Sequence, residues 1–254
     1  MQNIIVDKLR EIEREKNVRV LLAVESGSRA WGFASTDSDY DVRFIYVRSQ
    51  RDYLRLETLR DVIELPINDD LDVVGWDLSK TLKLLTKSNP SCFEWLASPI
   101  VYAEDANFCR TFRPLAQRYF SVKRGLEHYA NMARKNYREY LLDEQVKLKK
   151  YFYVLRPVLA ARWVLDKKSP PPMLFDELAE AELDARLRPE VLRLLDLKRN
   201  APEVKKIPQV AAINQYLESE IERVLELIPR LPNETNPGWA PLDEAFFAEI
   251  SKSA

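Results

Sequence analysis

Apolar residues recur along this chain with two different periods, and each change of period marks an element. Gln2 to Glu15 spaces its apolar residues among charges and predicts an amphipathic first helix. Val18 to Val24 is a short β-rich run and Val42 to Val47 a second, so two strands are expected with a polar segment between them. A polar turn at Asn68-Asp69-Asp70 enters a third apolar run from Leu71, which Gly75 and Trp76 finish; Asp77 is placed as the N-cap of the helix that begins at Leu78. Asn89-Pro90 predicts a helix start and Ser98-Pro99 a break. Ser121 to Tyr140 and Glu144 to Val164 carry apolar and aromatic residues at helical spacing, interrupted only by Gly125 and Pro157, and read as two helices packed on the sheet. Pro170-Pro171-Pro172 predicts a linker or sharp corner. Met173 to Leu183, Pro189 to Leu197 and Ile213 to Ile228 follow as helices, and Leu231 to Ala254 as an extended tail with one short helix. The expected class is α/β (α+β): a small mixed-sheet domain over 1–115, then a helical domain over 116–254, with a possible corner at 169–172.

The segment between the first two strands holds the candidate chemistry. It reads Gly27-Ser28-Arg29-Ala30-Trp31-Gly32-Phe33-Ala34-Ser35-Thr36-Asp37-Ser38-Asp39-Tyr40-Asp41. Gly27 and Ser28 fall just past a strand end, where a turn presents backbone amides, and period-two alternation puts Asp39 and Asp41 on one side of the next strand. Two facing carboxylates repel unless a cation lies between them, and hard divalent cations such as Mg²⁺ or Mn²⁺ take oxygen ligands. A metal-bound triphosphate is the expected guest. A calcium loop opening at Asp37 would need Gly and Glu where Val42 and Arg48 stand, so that reading fails. Two-metal chemistry asks for a third carboxylate, and Asp72, flanked by Leu71 and Val73, is the choice; Asp69 and Asp70 read as turn residues. Gly27 admits close backbone approach to phosphate, Ser28 adds a hydroxyl, and Arg29 is a candidate phosphate contact or a surface ion-pair partner. Trp31 and Phe33 are expected to pack beneath the turn, with Gly32 permitting a bend.

A hydrophobic strand, Gly-Ser, a spacer and an Asp-x-Asp pair flanked by apolar residues resemble the signature of the DNA polymerase β-like nucleotidyltransferases. With Gly75-Trp76-Asp77-Leu78 and Glu94-Trp95-Leu96-Ala97-Ser98-Pro99, the segment is similar to the bacterial predicted nucleotidyltransferases that include RNA-ligase-associated members. The resemblance covers roughly residues 18 to 165. It implies a nucleotidyltransferase domain that moves a nucleoside monophosphate from an NTP onto a hydroxyl, with Asp39, Asp41 and Asp72 holding Mg²⁺ or Mn²⁺ and Gly27, Ser28 and Arg29 holding the triphosphate. It further implies that the following helical domain supplies the far wall of the cleft, where Lys149, Tyr153 and Arg156 at i, i+4 and i+7 form one helix face. A solvated amphipathic helix is the other reading of that face. Phe152, Leu155 and Leu159 recur at core spacing on the same helix.

Charge refines this picture. The whole chain of 254 residues carries a net charge of −1, which gives no global pull toward nucleic acid. Residues 121–168, however, hold 12 Lys or Arg against 5 Asp or Glu, while 169–254 hold 10 against 16. The resemblance and that basic stretch, with Lys147, Lys149 and Lys150 and tyrosines such as Tyr137 and Tyr140, together suggest an RNA 3′ end as acceptor; a small molecule or a protein hydroxyl fits the same site. A non-catalytic nucleotide-binding or antitoxin-like partner is the alternative class, opposed by the cost of keeping a repelling pair of carboxylates. His128 is the only histidine and no Gly-x-Ser-x-Gly is present, so serine-hydrolase chemistry is not expected. Cys92 and Cys109 lack the number and spacing for zinc and are expected to be reduced and buried. No apolar run approaches the length of a bilayer span and the first helix is too charged for a signal peptide, so a soluble cytoplasmic protein is expected. The sequence does not fix the oligomeric state.

Overall fold

The computed structural model of the chain describes residues 1–66, 70–200 and 204–253. Its helices are α1 (Gln2–Lys16), α2 (Gly27–Ala30), α3 (Gln50–Tyr53), α4 (Leu78–Leu85), α5 (Pro90–Leu96), α6 (Ala106–Gln117), α7 (Val122–Tyr140), α8 (Leu148–Lys167), α9 (Phe175–Glu182), α10 (Arg188–Arg199), α11 (Ala211–Leu227) and α12 (Ala240–Ile250). Its strands are β1 (Val18–Glu25), β2 (Tyr40–Arg48), β3 (Val62–Glu64), β4 (Leu71–Asp77), β5 (Val101–Glu104), β6 (Gln145–Lys147) and β7 (Lys206–Pro208). By compactness the chain divides into two units: residues 1–27, 39–120 and 235–254 form one, and residues 28–38 and 121–234 the other.

The first unit is built on a five-stranded sheet of order β3-β4-β2-β1-β5, with β2 and β4 parallel and the other pairs antiparallel. Alternation along β2 sorts its side chains between two cores. Val42, Phe44 and Tyr46 join Ile5, Leu9 and Ile12 of α1 on one face, whereas Ile45 and Val47 join Leu78, Leu82, Phe93, Phe108 and Phe112 from α4, α5 and α6 on the other. Gly75 of β4 is required by packing: a Cβ there would stand 2.2 Å from the Phe44 ring. Asp77 caps α4 through Ser79 N–H at 2.8 Å, and Asn89 caps α5 through Ser91 N–H at 3.0 Å, as the sequence predicts. The last segment closes this unit. Leu242 and Ile250 enter the second core, Tyr119 donates to the Gly238 carbonyl at 2.7 Å, and Arg19 pairs with the buried Glu249 at 3.0 Å. Cys92 and Cys109 are free and buried, and burial pushes their thiols up to about 12 and about 11.

In the second unit α7 and α8 pack along one another, with α9, α10 and α11 on α8 or α7. Phe152, Leu155 and Leu159 are fully buried. The helix expected from Glu144 begins later, at Leu148, because Gln145–Lys147 pairs antiparallel with Lys206–Pro208 as a two-stranded ribbon. A partner about sixty residues away leaves no trace in local periodicity. Segment 28–38 belongs here through its aromatic residues: Phe33 lies 5.3 Å from Phe152 and 5.7 Å from Phe175, and Phe175 N–H donates to the Trp31 carbonyl at 2.9 Å. The 28–38 segment and the 235–254 tail thus lie across a single boundary near residue 115. Among the described residues no helix is long and apolar enough to cross a membrane.

Candidate active site

In the first unit the site grows from the end of β1. Glu25, the last residue of that strand, is completely buried, and its carboxylate accepts the Asp41 backbone N–H at 2.7 Å and the Tyr102 hydroxyl. Ser98 donates to the Glu25 carbonyl at 2.6 Å, and Ser26 N–H donates to the Asp41 carbonyl at 2.8 Å. The backbone of Asp41 is therefore held from both sides before its side chain makes any contact. Gly27 follows with φ of +60°, and a Cβ on it would lie 2.1 Å from Asp41 Oδ2. Only glycine permits both the left-handed backbone and the carboxylate beside it. Gly27→Ala is expected to cost about 1–2 kcal/mol from backbone strain alone and to displace Asp41; a urea-unfolding midpoint equal to that of the wild type would refute the close approach.

Strand register brings the second carboxylate in. Asp41 of β2 and Asp72 of β4 are direct partners across the parallel pair, so both side chains leave the same face of the sheet. Between them lies Arg43, two residues beyond Asp41 and on that same face. Its Nη2 donates to Asp41 Oδ1 at 3.2 Å and to Asp72 Oδ2 at 2.7 Å, while Nη1 donates to the carbonyls of Val42 and Asp72, both at 3.1 Å. With Asp41 31%, Asp72 28% and Arg43 19% exposed, these charges are partly shielded from solvent. Asp39 lies one residue before β2 begins and is exposed, so strand alternation does not fix its direction as it fixes that of Asp41. Among the described residues no three His, Cys, Asp or Glu side chains are gathered closely enough to hold a metal ion. The donors are carboxylate oxygens, the set that Mg²⁺ and Mn²⁺ prefer, and a cation held by Asp41 and Asp72 would compete with Arg43 for them. Asn68 and Asp69 lie outside the described residues; the Asp70 carbonyl accepts Tyr40 N–H at 2.7 Å and so aligns β2 with β4.

The remaining sequence candidates belong to the second unit. Ser28 is buried in the turn of α2, and Arg29 reaches along its loop to donate to the Ser38 carbonyl at 2.6 Å. Phe33 is fully buried, and Gly32, at φ of +81°, makes the bend expected of it. Lys198, also buried, donates to Ser35 Oγ at 2.8 Å, and Arg199 to the Gly32 carbonyl at 2.9 Å. Tyr153 meets the edge of Trp31 with centroids 5.7 Å apart, and the Arg156 guanidinium lies 4.7 Å from the Trp31 ring. Arg156 is only 3% exposed and its Nε donates to the Met173 carbonyl at 3.5 Å, so the basic face expected of α8 is half-buried at Lys149 and Tyr153 and closed at its third member. Of the two tyrosines considered for base stacking, Tyr137 is buried and Tyr140 has the Lys150 ammonium 3.5 Å above its ring. His128 is half-buried on α7, edge-on to Tyr129 at 5.3 Å.

Glu25 and Arg43 are the residues that sequence reasoning passed over. Arg43 had a signal, since it shares the period-two face of Asp41; Glu25 had only its place before Ser26-Gly27, and a lone acid at a strand end is ordinarily solvated. At the other end of the same strands a cavity of about 600 Å³ is lined by Arg48, Tyr53, Asp77, Trp239 and Phe246, and neither Asp41 nor Asp72 borders it. Burial there holds the Asp77 carboxyl above the usual carboxylate range, and Tyr53 donates to it at 3.0 Å. Asp77 is committed to its cap.

Comparison with known proteins gives a family, a relative and a solved structure. The RNA repair pathway DNA polymerase beta family matches residues 1–248. A Bacillus subtilis (strain 168) protein described as uncharacterized protein YcgL is 47% identical over 253 residues, covering 99% of this chain and 97% of its own. A crystal structure of a nucleotidyltransferase-like protein from Exiguobacterium sibiricum aligns over 98% of this chain and 80% of its own, at 12% identity and a TM-score of 0.30.

Proposed function

We propose that this chain, which belongs to the RNA repair pathway DNA polymerase beta family, transfers a nucleoside monophosphate from an NTP to the 3′ hydroxyl of an RNA and releases pyrophosphate. The observation that carries the reading is the in-register pair Asp41 and Asp72, set beside a glycine whose missing Cβ makes room for the Asp41 carboxylate. In the transfer the acceptor oxygen bonds to the α-phosphorus, the bond from that phosphorus to the bridging oxygen of pyrophosphate breaks, and the hydroxyl proton passes to solvent. Asp72 faces the acceptor and assists that proton's departure; Gly27, Ser28 and Arg29 take the triphosphate. Mg²⁺ or Mn²⁺, for which Asp41 and Asp72 supply carboxylate oxygens and toward which Asp39 would have to turn, would neutralise phosphate charge and lower the pKa of the attacking hydroxyl. Positioning and electrostatics then supply the rate, with no covalent enzyme intermediate.

Binding of nucleotide without turnover is a second reading, and one observation favours it. Against it stands the cost of keeping Asp39 beside Asp41; for the pair that the strands do match, Asp41 and Asp72, Arg43 already offsets the repulsion, so keeping that pair costs a retired site little. Turnover decides between them. Incubating the protein with each labelled NTP, Mg²⁺ or Mn²⁺ and total RNA is expected to place label on RNA 3′ ends, and Asp72→Asn should keep triphosphate affinity while losing transfer. Label that never leaves the NTP favours binding alone; equal loss of NTP affinity in Asp72→Asn and Asp41→Asn contradicts the division of roles.

A further inference from the structure

The β6–β7 ribbon of the second unit concentrates positive charge in a way that its own folding does not favour. Lys147 and Lys206 are direct partners across the antiparallel pair, and Lys205 adjoins them, its carbonyl accepting the Leu148 N–H at 2.9 Å. Like charges directly opposite on two strands destabilise the pair. Lys147 and Lys206 are exposed, Lys205 is half-buried, and none of the three forms an ion pair with a described residue. The chain passes straight from Lys147 into α8, where Lys149 and Lys150 occupy the first turn, the end at which the helix dipole is already positive. Asp143 and Glu144 precede the ribbon and are exposed, yet they leave five lysines on three short pieces of chain. An arrangement that repels itself in the isolated protein is relieved when a polyanion lies across it.

We infer that this lysine ribbon binds the phosphate backbone of RNA. The inference deepens the proposed function, on which the choice of RNA over an acidic protein segment rests. One charge per residue at regular spacing is what a line of lysines can track, and such contacts carry no sequence information. Tyr137 is buried, which removes one of the two base-stacking platforms that the sequence suggested, and Lys150 covers one face of the other, Tyr140. The lysines of the ribbon grip the backbone and do not read the bases.

The test measures binding of a fluorescein-labelled 20-nucleotide single-stranded RNA to the full chain, without NTP or metal, across about 50 to 200 mM KCl. Wild-type affinity should fall steeply with salt. The triple variant Lys147→Ala, Lys205→Ala, Lys206→Ala should show a slope shallower by about two, at about 0.7 per phosphate contact, and at 0.1 M salt should bind about 100-fold more weakly. Its melting temperature should equal or exceed that of the wild type because repulsion has been removed, and the corresponding triple Arg variant should bind as the wild type does. Salt-independent wild-type binding, unchanged affinity in the Ala variant, or competition by polyglutamate equal to that of RNA at the same charge would each overturn the inference. Failure of nucleotide transfer with the salt-steep, lysine-dependent binding intact would overturn the proposed function and leave the ribbon standing.

Discussion

Asp41→Asn is expected to cut nucleotide transfer by about 10²-fold or more, the loss typical of a disrupted metal site, while leaving the fold in place. The substitution keeps the shape of the side chain, and the backbone of Asp41 stays tied to Glu25 and Ser26 by bonds that do not involve it. What is lost is the charge of one of the two carboxylates matched across β2 and β4. Label transfer and the melting temperature should be measured together. A double Asp39→Asn, Asp41→Asn protein with full transferase activity would show that the assignment is wrong, whereas one that fails to melt cooperatively would show that the charges hold the fold itself.

Arg43→Ala should produce opposite changes with and without a divalent cation. Without it, Asp41 and Asp72 lose a shared guanidinium whose bonds measure 3.2 and 2.7 Å, a loss of about 1–3 kcal/mol for charge-assisted contacts, and the protein should melt lower. With it, the competitor for those oxygens is gone. A unit charge about 4 Å from a divalent cation opposes it by about 8 kcal/mol at an effective dielectric of about 20, so an apparent Mn²⁺ dissociation constant at least about tenfold lower is expected, tenfold being about 1.4 kcal/mol. The measurement is the rise in melting temperature on adding Mn²⁺, compared between variant and wild type. Equal rises, with no loss of stability in metal-free buffer, would show that Arg43 does not hold the pair.

The parts of the site legible in the sequence are those that local pattern controls. Alternation fixed the faces of β2 and β4, a short apolar run after a polar turn located Asp72, and Asp77 and Asn89 announced their helices by their caps. The register that sets Asp41 against Asp72 was not written in either run, because periodicity reports which face a residue takes and never which strand will lie beside it. The same limit hid the ribbon, whose halves are about sixty residues apart, and Arg156, whose charge predicted exposure until the Trp31 ring and the Met173 carbonyl were placed around it. Asp39 shows the converse: its spacing from Asp41 is a strand spacing, but the strand starts one residue too late to enforce it.

The return of residues 235–254 to the first unit sets an order of events during synthesis. Arg19 and Glu249, joined across 230 positions, cannot meet until residue 249 has left the ribosome, and Leu242 and Ile250 arrive equally late at a core begun by Leu21 and Leu22. Apart from segment 28–38, the second unit is continuous from 121 to 234 and has all of its own residues before then. The sheet that carries Asp41 and Asp72 is thus sealed only after the residues of the second unit have been made, and during elongation its unfinished core is the apolar surface that a chaperone or a protease would meet.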